Sequence, residues 1–64
     1  MEDHAKRVAE RWAEKRAVAI EGGMKPEAFD KHMLNFMLWG GWSEENAQAI
    51  CARAKLLHER GVKL

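Results

Sequence analysis

The chain has a single cysteine, Cys51, in 64 residues, so no internal disulfide can staple it and no thiolate cluster can bind zinc. That excludes the small disulfide-scaffold class and favours a reducing, cytoplasmic setting. No run approaches the roughly 18 apolar residues of a membrane span, and the start "MEDHAKRVAERW" has no apolar stretch of the secretory type, so the chain reads as soluble and unprocessed. No segment alternates apolar and polar residues with period two, and no repeat or low-complexity linker is visible, which excludes strands and a second domain. An excess of one charge is also missing. Eleven Lys plus Arg face ten Asp plus Glu with the signs interleaved, so the chain lacks the basic surplus with which nucleic-acid binders usually attract phosphate.

The chain does carry strong helix formers, ten alanines among them, broken by two Gly-Gly pairs and by Pro26, its one proline. Residues 3 to 21 form the first expected helix, capped by Asp3 and ended by a left-handed Gly22. Ala5, Val8, Ala9, Trp12, Ala13, Ala19 and Ile20 gather on one face at about 100° per residue. Ala5, Ala9, Ala13 and Ala17 recur every fourth position, a row of small side chains along which another helix can come close. Arg16 falls inside this apolar arc. Its stem is expected to cover apolar surface while its head stays wet at the rim, the alternative being a buried pairing or a partner contact.

The second helix is expected over residues 26 to 39, with Pro26 at its first position and Phe29, Met33, Phe36 and Met37 on its buried stripe. The third runs over residues 44 to 60, with Ser43 as N-cap, Glu44 and Glu45 in the first turn and Gly61 just beyond its end. The short tail is expected to dock through Val62 or Leu64. The fold class is therefore all-α: one domain spanning residues 1 to 64, a three-helix bundle with short glycine-containing turns and the second helix central.

Catalytic and metal-binding patterns are weak. Cys51 and His58 share a helix face but stand about 10.5 Å apart along the axis, too far for proton transfer. His4, His32 and His58 fall one to each helix, without the i, i+3 or i, i+4 pairing of helical metal ligands, and meet only if helices or chains bring them together. Glu44, Glu45, Glu27 and Asp30 sit where acids stabilise a helix N-terminus. No catalytic residue, cofactor or metal is expected. A helix-turn-helix is the rival reading, with Arg7, Arg11, Lys15, Arg53 and Lys55 toward phosphate. Its recognition helix would open with "SEENAQAI", two carboxylates facing the backbone.

What stands out is apolar excess. Eight of the fourteen residues from Phe29 to Trp42 are large and apolar, about twice what one buried helix face hides. Leu34, Leu38, Trp39 and Trp42 lie off the expected core stripe, as does Leu56 on the third helix. Together with Arg16 they form the expected partner interface. Covering Leu34, Leu38, Trp39 and Trp42 would remove ~200–300 Å² from water, on the order of 5–8 kcal/mol before association costs. The expected function is thus a small non-enzymatic interaction module: a regulator, adaptor or inhibitor of a larger complex, of which a phage-type inhibitor is one form, or a homodimer. Its partner is a protein or a second copy, not a membrane, and nucleic acid comes second.

Overall fold

The computed structural model describes residues 3–61, which form α1 (Asp3–Glu21), α2 (Pro26–Trp39) and α3 (Glu44–Glu59). The tail residues Val62 and Leu64 lie outside the described residues.

Local chemistry sets the helix ends. Gly23 and Gly41 have φ of 105° and 101°, a left-handed backbone that costs residues with a side chain about 1–2 kcal/mol. Both turns close alike. Gly23 N–H donates to the Ile20 carbonyl and Met24 N–H to that of Ala19; Gly41 donates to Leu38 and Trp42 to Met37. This Schellman closure uses carbonyls the helix leaves free and turns the next apolar residue back toward the bundle; Trp42 packs there against the core. The left-handed residue after α1 is Gly23 and not the expected Gly22, because Gly22 still donates a helical bond to Val18. Ser43 caps α3 as expected, its Oγ accepting the Asn46 N–H at 3.2 Å.

Two contacts fix the topology. His4, at the start of α1, stacks on Trp42, just before α3, with ring centroids 5.7 Å apart. Arg16, near the end of α1, meets His58 near the end of α3. The two helices therefore run parallel, with α2 antiparallel to both in an up-down-up bundle. All three helices touch one another, and the most extensive pairing is α1 with α3. Alanine explains it: Ala5, Ala9 and Ala13 of α1 and Ala47 and Ala54 of α3 are all buried, and rows of small side chains let helix axes approach. α2 packs on this pair through Phe29, Met33 and Met37, and Ile50 joins them from α3. The bundle measures 29 × 21 × 13 Å along its principal axes. A core this small leaves roughly 3–5 kcal/mol of net stability.

Arg16 departs from expectation. Its side chain is among the largest fully buried ones, 2% exposed, and is not at the rim. Nε donates to Asp30 Oδ1 at 2.8 Å, Nη2 to Asp30 Oδ2 at 3.2 Å, and Nη1 to His58 Nδ1 at 2.7 Å. Since guanidinium only donates, Nδ1 of His58 is the acceptor in this bond. One residue from each helix thus meets at this polar centre. Among the described residues no buried side-chain nitrogen or oxygen lacks a partner. No helix among them is long and apolar enough to cross a membrane.

Candidate interaction surface

The six residues expected at an interface do not form one patch. Arg16 is enclosed, with Asp30 and His58 taking the bonds a partner would need. Trp42 is half-buried and stacked on His4. Leu34 is half-buried against the core and lines a shallow cleft of about 250 Å³ between α2 and α3, beside Cys51, Ala52 and Lys55. Leu38 and Leu56 are exposed, and Trp39 is 86% exposed. Leu34 and Trp39 are five residues apart and so project about 140° from each other. They belong to different sides of α2.

The side that Trp39 shares is aromatic. Phe29, His32, Phe36 and Trp39 recur at spacings of three, four and three along α2, which aligns them in one stripe. Trp12 of α1 lies against three of them, its ring centroid 5.4 Å from Phe36, 5.9 Å from Phe29 and 6.4 Å from His32, with inclined rings in each case. Phe36 and Trp39 follow at 6.4 Å. Such tilted and edge-to-face pairs contribute about 0.5–1.5 kcal/mol each beyond burial, so the ridge holds its shape without a partner. Lys15 Nζ sits 5.8 Å from the Trp12 ring centroid. Between α1 and α2, Trp12, Phe29, His32 and Phe36 line an open groove of about 450 Å³, with Val8, Arg11 and Lys15 on the α1 wall; Trp39 stands beyond its end, next to Phe36.

Phe36 corrects an expectation. Assigned by sequence to the buried stripe, it is 51% exposed. The buried arc of α2 runs through Phe29, Met33 and Met37 and is centred on Met33, about 60° round from Phe36. Trp12, counted with the apolar face of α1, is only half-buried and forms the floor of the groove. The three-four-three spacing of aromatic rings was the available signal. It was hidden because the same residues read equally well as core.

The histidines occupy separate settings: His4 against Trp42, His32 in the groove, His58 on Arg16. No group of three or more potential metal ligands occurs among the described residues. Cys51 donates to Met37 Sδ at 3.8 Å. Burial, and secondarily the negative charge of Asp30, push its thiol up to about 11 from a usual value of 9.0. Thiolate is the reactive form, so alkylation of the folded protein by iodoacetamide at pH 8 is expected to be about a hundredfold slower than in denaturant. Equal rates in the two conditions contradict this environment. The sign for stability follows: the folded chain holds this proton more tightly, so the contribution is complete below pH 9 and lost as pH rises toward 11. Cys51→Ala should lack that component of the alkaline decline.

No family model, no curated protein and no solved structure matches this chain.

Proposed function

We propose that the protein is a small non-enzymatic interaction module of the cytoplasm that regulates, bridges or inhibits a larger protein by docking through the aromatic ridge of α2 and α1. The observation that carries this is the exposure of Phe36 and Trp39 at the end of an ordered ring cluster. Trp39, left almost wholly in water on a helix whose buried side is already filled by Phe29, Met33 and Met37, adds little to folding, and Phe36 keeps about half its surface exposed beside it. Covered by a partner, they would contribute several kcal/mol, and tryptophan is among the commonest anchors of such contacts. The ridge is preferred over the Leu34 side because Leu34 is already half covered by the chain itself. Nucleic acid is the weaker alternative, since the cations Arg7 and Arg11 on α1 share a hollow with the acids Glu10 and Glu14.

Photocrosslinking in cells that produce the protein tests this. With benzoylphenylalanine replacing Trp39, a discrete protein adduct is expected, either a second copy or a larger chain. The same group in place of the exposed Arg53 on α3 should give none. An adduct pattern that is equal at both positions, or nucleic acid alone, refutes the proposal.

A further inference from the structure

We infer that the groove between α1 and α2 seats an acidic amphipathic helix of the partner, in the place a fourth helix would take in a four-helix bundle; this rests on the interaction reading above. Charge carries the argument. Across the chain acids and bases nearly balance, yet the groove wall holds Arg11, Lys15 and His32 and no carboxylate. Glu10 and Glu14, the acids next in sequence to Arg11 and Lys15, line neighbouring hollows that they share with those cations, and neither lines the groove. The floor is the apolar set Val8, Trp12, Phe29 and Phe36.

An apolar floor with a cationic rim on one wall is the complement of a helix with an apolar stripe and carboxylates beside it. The groove is open to solvent and not enclosed, which suits a helix laid into it more than a buried small molecule. From Phe29 to Phe36 the α2 lining of the groove covers seven residue steps, or about 10.5 Å, so the groove seats about two turns of a helix, with Trp39 next along the same stripe. A single-stranded nucleic acid also stacks on aromatic rings, but it needs a continuous basic track. Here Trp12 and Phe36 spend their faces and edges on each other, and the track is two cations long.

The test is selection from a random library of 16-residue peptides displayed on phage, with the purified protein as target. Enriched peptides are expected to carry Asp or Glu flanking a Leu, Trp or Phe stripe. They should bind Arg11→Glu/Lys15→Glu at least tenfold more weakly, while lysine-substituted copies of the same peptides gain on that variant. Arg11→Gln/Lys15→Gln, whose folding is checked by circular dichroism, should fall between. Peptides without acidic residues, affinities indifferent to both variants, or displacement by a 16-nucleotide oligothymidylate overturn the assignment. Selected peptides that are insensitive to Arg11 and Lys15 but lost with Phe36→Gln would leave the interaction reading standing and sink only the acidic helix. If no peptide is enriched, both fall.

Discussion

Asp30→Ala is expected to leave the chain largely unfolded at room temperature, or to lower its thermal midpoint by about 20 °C or more. The substitution removes both carboxylate bonds to Arg16 and leaves a guanidinium at 2% exposure with His58 as its only close partner. Glu59 stands 4.0 Å away and is itself more than half exposed, so it compensates little. Stranding one member of a buried pair costs about 3–5 kcal/mol, which is as much as a core of this size supplies. The reverse change should be milder. Arg16→Met leaves Asp30, which at 29% exposure can turn to water, and fills the space with an apolar stem; a loss of about 1–2 kcal/mol is expected. Circular dichroism during urea and thermal unfolding of both variants checks this asymmetry. Equal effects, or an Asp30→Ala midpoint within a few degrees of wild type, would mean that the polar centre does not hold the three helices together.

Ala9→Leu is the second large effect. Ala9 is fully buried in the α1–α3 contact, and the parallel register brings it to the level of Ala47 and Ile50, also buried. Three added carbons have nowhere to go. Overpacking of a filled core costs about 1–3 kcal/mol and occasionally more, and here the upper end is expected because alanine neighbours have no rotamer with which to make room. Leucine has nearly the helix propensity of alanine, so the loss reports packing alone. Ala28→Leu, on the exposed side of α2, is the control and should unfold within about 0.5 kcal/mol of wild type. Should Ala9→Leu match that control, the close α1–α3 approach would be wrong.

The positions that reveal these effects differ in how legible they were. The helices could be read because their ends are local: Ser43 bonds three residues ahead, Pro26 suits a first turn, and each Gly-Gly pair closes its helix through neighbours only. The alanine row of α1 likewise announced a close helix contact. Arg16 takes the buried pairing over the wet rim, a choice sequence cannot make because burial of a charge depends on what lies opposite, and its partners are 14 and 42 residues away. The interaction surface was half legible. Too much apolar surface for one helix was evident in "FDKHMLNFMLWGGW", yet which rings stay outside depends on where the buried arc of α2 is centred. A rotation of about 60° separates Met33 from Phe36, and only the positions of α1 and α3 decide between them. Trp39 was placed with Leu34 and Leu38 by chain proximity, although it continues the line of Phe36.

The central claim is that the exposed end of the aromatic ridge, Trp39, serves docking and adds little to folding. Trp39→Gln separates the two, because the residue is 86% exposed. The measurement is photocrosslinking in cells from benzoylphenylalanine at His32, in the middle of the groove, with and without Trp39→Gln, on protein shown to unfold within about 3 °C of its parent. The account predicts a protein adduct from the parent and at least a fivefold lower yield from the variant. An undiminished adduct in the folded variant, or no adduct from either, would contradict it.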